Sequence, residues 1–122
     1  MTSSFVIDAS CFETGSDLAR AAQRVYAPDL IDLEIANVLR KTVLRQQRTS
    51  DEATKAFLAW LSNDIRRVSH RGHAATVWEL RHSITPYDAA YVALAMHLGL
   101  PLLTGDRRLA AAASAYCEVE AL

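Results

Sequence analysis

The 122-residue sequence predicts an α/β fold: one domain, residues 1–122, with a central, mainly parallel sheet of about four to five short strands flanked by helices. Three observations predict it. Short apolar runs of strand type alternate with helical patterns along the whole chain. Those runs are continuously apolar rather than alternating, as in strands buried on both faces. The length suits a single core, since about two-thirds of the unfolded surface of such a chain is buried on folding. Connections between parallel neighbours are expected as right-handed crossovers.

Each element has its own signal. Phe5-Val6-Ile7 reads as a short buried strand and Val25-Tyr26-Ala27 as a second, stopped by Pro28. From Asp29 to about Gln47 runs a helix with a broad apolar surface, and Ser50 is placed as N-cap of the next, through Ala53, Phe57, Leu58 and Leu61. Ile65 to Ser69 is a third strand. His73 to Arg81 is a helix with Val77 and Leu80 inward, ending before Ile84. The cleanest helix opens at Thr85-Pro86-Tyr87-Asp88, with Thr85 at N-cap, Pro86 at N1, Asp88 at N3 and Gly99 as the stop. Pro101 to Thr104 is a buried strand, Asp106 to Ser114 a helix, and Tyr116 to Val119 a last strand.

Composition narrows the function classes. Hydrophobic residues make up 51% and charged residues 22%, which is globular rather than disordered. No apolar stretch approaches the ~20 residues of a bilayer span, and the first residues lack the basic region of a signal peptide. Cys11 and Cys117 are too few and too scattered for a disulfide framework or a zinc site, so a cytoplasmic address is expected. The net charge of −1 announces no global field for nucleic acid. Arginine dominates the basic residues, however, since Lys41 and Lys55 are the only lysines. The arginines gather at Arg40, Arg45 and Arg48, at Arg66, Arg67 and Arg71, and at Arg107 and Arg108. Their planar fork suits phosphate; the plainer reading is a solvated helix face.

Four carboxylates stand out by position. Asp8 ends the first strand and Asp106 follows the strand at Leu102-Leu103; Asp88 lies in the first turn of one helix and Glu34 near the start of another. In open parallel sheets ligands bind outside the carboxyl ends of the strands, where these acids are expected. Each has an alternative reading: Asp8 and Asp106 as helix N-caps, Asp88 as the partner of Thr85 in a capping box. Glu34 resists that account, because Ile31, Leu33, Ile35 and Val38 surround it on the helix. Two carboxylates about 5 Å apart repel by roughly 3 kcal/mol at an effective dielectric of 20. A hard divalent cation relieves this, and oxygen-only donors favour Mg²⁺, with Mn²⁺ as substitute, over Zn²⁺. Thr104 offers a hydroxyl for a water or a phosphate, or is a plain strand-end threonine.

Val6-Ile7-Asp8-Ala9-Ser10, Glu34 followed by Ile35-Ala36-Asn37-Val38-Leu39, the run Thr85-Pro86-Tyr87-Asp88-Ala89-Ala90-Tyr91-Val92-Ala93-Leu94-Ala95, and Leu103-Thr104-Gly105-Asp106-Arg107-Arg108-Leu109 resemble a PIN-domain ribonuclease, in order and over nearly the whole chain. More narrowly, the chain is similar to the VapC-type toxins of bacterial toxin–antitoxin pairs. The resemblance implies a metal-dependent endoribonuclease. Asp8 and Asp88 would bind Mg²⁺, Glu34 and Asp106 would complete the acidic pocket, and the hydroxyls of Thr104 and Ser10 would support it. It implies tRNA or ribosomal RNA as substrate, 5′-phosphate and 3′-hydroxyl ends, a VapB-type antitoxin as partner, and a homodimer. The stretch from Asp8 to Pro28 is shorter than is typical for the family, where two helices intervene and help form the antitoxin groove.

Other residues read as structural. Trp60 and Trp78 fall at core spacings, the four histidines do not converge at ligand spacing, His97 complements a helix C-terminus, and Cys11 has no base beside it. Asp29 and Asp32 favour the dipole of the helix they begin. Two alternatives stand beside the nuclease. One is a non-catalytic RNA- or protein-binding module of the same fold. The other is a receiver-like signalling domain, which needs an Asp ending the third strand and a Lys ending the last; neither is present.

Overall fold

The computed structural model describes residues 4–14 and 24–122. The part of the Cys11–Arg24 stretch expected to hold a helix interrupted at Gly15 lies largely outside the described residues. Five strands, β1 (Phe5–Ile7), β2 (Val25–Pro28), β3 (Arg66–Val68), β4 (Leu102–Thr104) and β5 (Val119–Ala121), form one sheet in the order β3-β2-β1-β4-β5. All four pairings are parallel. The receiver-like alternative fails on this order, since that fold places its strands 2-1-3-4-5.

Burial follows strand position. The central β1 and β4 carry Val6, Ile7, Leu102 and Leu103, all buried, because helices cover both faces. The edge strands β3 and β5 expose Arg66 and Glu120, charges that discourage edge-to-edge pairing. The last strand is Val119–Ala121 rather than Tyr116–Val119. Tyr116 and Cys117 instead donate their N–H groups back to Ala113 O, extending the preceding helix as a turn. Register with β4, Leu102 opposite Val119 and Thr104 opposite Ala121, then decides which residues pair.

Between the strands lie α1 (Cys11–Thr14), α2 (Ile31–Leu44), α3 (Ser50–Leu61), α4 (Ala74–Glu79), α5 (Pro86–Leu98) and α6 (Arg107–Ala113). Helix α2 starts two residues later than expected and has no side-chain cap. Asp32 in its first turn accepts from Trp60 Nε1 at 2.7 Å and pairs with Arg67 at 3.0 Å, pinning α3 and β3 to α2. The N-cap of α3 is Thr49, not Ser50: its hydroxyl accepts from Glu52 N while Glu52 accepts from Thr49 N, a reciprocal capping box.

The expected helix from His73 to Arg81 is a 3₁₀ turn, His70–His73, followed by the short α4. Leu80 is buried and Val77 half-buried, but Trp78 is 67% exposed with Arg81 stacked on its ring at 4.4 Å. Its spacing suits a core, yet among the described residues no element covers that side of α4. Trp60 is buried as expected. The rings of His73 and His97 lie 5.5 Å apart, and among the described residues no three ligating side chains gather around them. Helix α5 is buried from Ala89 through Ala95 and packs against β1, β2 and β4. Thr85, Pro86 and Gly99 delimit it as expected, and Gly99 takes φ 65°, the left-handed stop. Among the described residues no helix is long and apolar enough to cross a membrane.

Candidate active site

The strand order reverses between β1 and β4, which opens a crevice at their carboxyl ends. Asp8 follows β1 and Asp106 follows β4 at this point. Helix α5 leads into β4, so it runs back across the sheet with its first turn, carrying Asp88, at the same edge. Glu34 enters from α2.

Asp8 is buried and held by hydroxyls. Ser10 Oγ donates to Asp8 Oδ1 at 2.5 Å, lies 3.2 Å from Thr104 Oγ1, and accepts from Gly105 N at 2.8 Å. Thr104 Oγ1 in turn accepts from Asp106 N at 3.0 Å. These bonds stitch the end of β1 to the end of β4, so Thr104 and Ser10 brace the acids from within the crevice. Burial raises the Asp8 carboxyl above its usual range; the Ser10 and Thr104 donors oppose this, and Asp106 repulsion adds to it. Cys11 donates its thiol to Leu103 O, and burial beside Asp8 pushes it up to about 12, which leaves it inert as a nucleophile.

Glu34 accepts a short hydrogen bond from Tyr91, whose hydroxyl is otherwise buried in α5. Burial raises the Glu34 carboxyl, Tyr91 opposes, and repulsion from Asp88 and Asp8 raises it further. Its helical surroundings are less apolar than the sequence suggested: Ile31 and Ile35 are buried, but Leu33 and Val38 are exposed. Tyr91 is the site residue that the sequence reading missed. It sits three positions after Asp88, on the same helix face, and that spacing was the available signal.

Asp88 completes only half of the expected capping box. Its N–H donates to Thr85 Oγ1 at 3.2 Å, while its carboxylate lies 3.6 Å from Arg108 Nη2. Burial raises this carboxyl, Arg108 opposes, and Asp106 adds repulsion. Asp106 is the N-cap of α6, accepting through Oδ1 from Arg108 N and Leu109 N, so its second oxygen takes no part in the cap.

The four acids therefore share one field: Asp8 feels Asp106, Glu34 feels Asp88 and Asp8, and Asp88 feels Asp106. Among the described residues no three Asp, Glu, His or Cys side chains are grouped closely enough to hold a metal ion between them. The donor chemistry nevertheless fits a hard cation. The ligands would be carboxylate oxygens only, mutually repelling and partly desolvated. A small cation such as Mg²⁺ uses one or two carboxylates and keeps several waters, so it needs no closed cage.

A parallel sheet of this order with acids at its switch point defines a domain that binds its ligand in the crevice at the strand ends. The PIN domain family model matches residues 5–115. Ribonuclease VapC1 of Mycobacterium tuberculosis is 43% identical over 95 residues, 77% of this chain and 71% of that protein. Ribonuclease VapC12 of the same species is 35% identical over 108 residues, 87% of this chain and 84% of that protein. Among solved structures, VapBC-5 of M. tuberculosis, a member of the VapBC family of toxin–antitoxin systems, aligns with a TM-score of 0.65 at 25% identity and covers 98% of both chains. PAE2754 of Pyrobaculum aerophilum shares the fold, with a TM-score of 0.73 at 22% identity over 96% of this chain and 83% of that one. The chain belongs to the PIN-domain family, among its VapC-type ribonucleases.

Proposed function

We propose that the protein is an endoribonuclease toxin that hydrolyses RNA phosphodiesters, tRNA or ribosomal RNA, with Asp8, Glu34, Asp88 and Asp106 holding Mg²⁺ or Mn²⁺. The observation that supports this reading is the mutual repulsion among four carboxylates, carried by four separate segments beside the switch point of the sheet. What a divalent cation supplies at such a site is charge against the phosphate oxygens and a more acidic water. The chain's own groups do the rest. The Ser10–Thr104 stitch fixes the orientation of Asp8, Tyr91 fixes Glu34, and the α6 cap fixes Asp106. Asp88 is presented by the first turn of the buried α5. Hydrolysis places the water oxygen on the 5′ phosphate and releases the 3′ oxygen as a hydroxyl. Single-stranded or looped RNA suits an open pocket, since its backbone can bend into the crevice.

The names of the relatives support a VapB-type antitoxin as partner, and a homodimer is the expected assembly. The test is cleavage of a labelled total-tRNA pool by the purified protein in Mn²⁺ or EDTA, beside Asp8→Asn. Cutting that needs Mn²⁺ and disappears in Asp8→Asn is expected. Equal cutting by both proteins, or a melting temperature that millimolar Mn²⁺ leaves unmoved, overturns the metal site.

A further inference from the structure

We propose that Arg108 is a shared counter-ion: its guanidinium holds Asp88 in the metal-free protein, yields that carboxylate when a divalent cation enters the pocket, and then takes a phosphate of the RNA. The inference rests on the nuclease reading above and assigns a role to a residue which that reading does not use.

Arg108 touches two of the four acids by different routes. Its backbone N–H donates to Asp106 Oδ1 at 2.9 Å, which anchors its Cα beside the pocket at the start of α6. Its Nη2 lies 3.6 Å from Asp88 Oδ2, too long for a hydrogen bond but within ion-pair reach. The side chain is 79% exposed. An ion pair of this kind is weak, so a competing cation displaces it readily.

Arg67 shows what an arginine built for structure looks like in the same molecule. Its guanidinium donates from Nε and Nη2 to Asp32 and from Nη1 to Asn63 and Ile65 O, and it is largely buried. Among the described residues no such cage surrounds the guanidinium of Arg108. Held to Asp88 by charge alone, it cannot share that oxygen comfortably with a divalent ion. Once displaced it stands at the rim of the crevice, where a phosphate drawn to the pocket arrives. The planar fork then meets its preferred anion.

The experiment uses the full chain and two substitutions, Arg108→Gln and Arg108→Lys. Binding of Mn²⁺ alone is followed by the loss of the free-ion EPR signal, and RNA engagement by KM and its salt dependence. Arg108→Gln is expected to bind Mn²⁺ roughly two- to fivefold more tightly than the wild type, the range of a surface ion pair. It is also expected to raise KM and to lower the slope of log affinity against log salt by about 0.7, one phosphate contact on a single strand. Arg108→Lys restores the charge, so wild-type Mn²⁺ affinity returns. An Arg108→Gln protein that cuts RNA but binds Mn²⁺ no more tightly, or keeps the wild-type KM and salt slope, overturns this inference and leaves the nuclease reading standing. A wild type that binds no Mn²⁺ and cuts no RNA overturns both.

Discussion

Replacing Tyr91 by Phe removes one oxygen and tests how Glu34 is held. The ring of Tyr91 is 1% exposed, so phenylalanine fills the same space and only the donor to Glu34 is lost. A hydrogen bond to a charged group is worth about 1.5–3 kcal/mol. For 122 residues the unfolding entropy near the melting temperature is about 0.26 kcal/mol/K, so Tyr91→Phe is expected to lower Tm by roughly 6–12 °C at neutral pH. The pH dependence gives the sharper test. Glu34 titrates above its ordinary 4.5 in the folded protein, chiefly because of burial, with Asp88 and Asp8 adding repulsion. The folded state thus binds this proton more tightly than the unfolded chain does. The stability that Glu34 contributes is full below 4.5 and is lost as pH rises through its folded value. Without Tyr91 the ionised form is still costlier. The Tm gap between variant and wild type should therefore be widest at pH 7–8 and should narrow as Glu34 becomes protonated. Glu34→Gln, which keeps an acceptor and removes the charge, should be at least as stable as the wild type at neutral pH. Thermal melts from pH 4 to 8 measure all three proteins. A gap below about 2 °C at neutral pH, or one that widens on acidification, refutes the reasoning.

Asp32→Ala strands Trp60 Nε1 and leaves the Arg67 guanidinium, still bonded to Asn63 and Ile65 O, without its counter-ion; it is expected to cost about 2 kcal/mol, discounted for partial exposure of the pair, and a urea titration showing under about 0.5 kcal/mol would remove this pin from the account. His73 is 4% exposed, neither ring nitrogen has a hydrogen-bond partner among the described residues, and burial, then His97 and His70, lower its pKa below the ordinary 6.5. Its contribution is therefore present above pH 6.5 and lost as pH falls through that value toward the folded one. His73→Phe should flatten the fall in Tm between pH 7.5 and 5.5, and an unchanged slope would assign the fall to other groups. Gly99→Ala is expected to cost about 1 kcal/mol from the left-handed conformation alone, since an added Cβ there meets nothing within 4 Å. Gly99→Asn should cost less, and equal Tm losses for the two would point to packing instead.

Most local signals in the chain are legible, the cap at Thr49 being placed one residue late at Ser50, and the larger errors lie where a distant neighbour decides. Thr85, Pro86 and Gly99 bounded α5 correctly because a cap is made within a few residues of itself. The continuous apolar runs at Val6-Ile7 and Leu102-Leu103 announced buried central strands for the same reason. Trp78 was misread because helical spacing says which residues share a face, not which element covers that face. The last strand slipped because Leu102 and Thr104, far back in the chain, choose its partners. Asp32 reads in the sequence as a dipole residue, since nothing near it foretells Trp60 or Arg67. The candidate acids were legible as residue types at strand ends and helix starts, whereas Tyr91 was hidden inside an apolar helix.

The sequence by itself determined the periods, the caps of α5, the alternation of strands and helices, and the presence of carboxylates at positions 8, 34, 88 and 106. Tertiary structure alone decided the strand order 3-2-1-4-5, the hydroxyl stitch from Ser10 to Thr104, the seating of Tyr91 on Glu34 and the reach of Arg108 to Asp88. The physical reason is range. Backbone conformation and capping depend on neighbours a few residues away, whereas the field and the hydrogen bonds of a site join segments that only the packed sheet brings together.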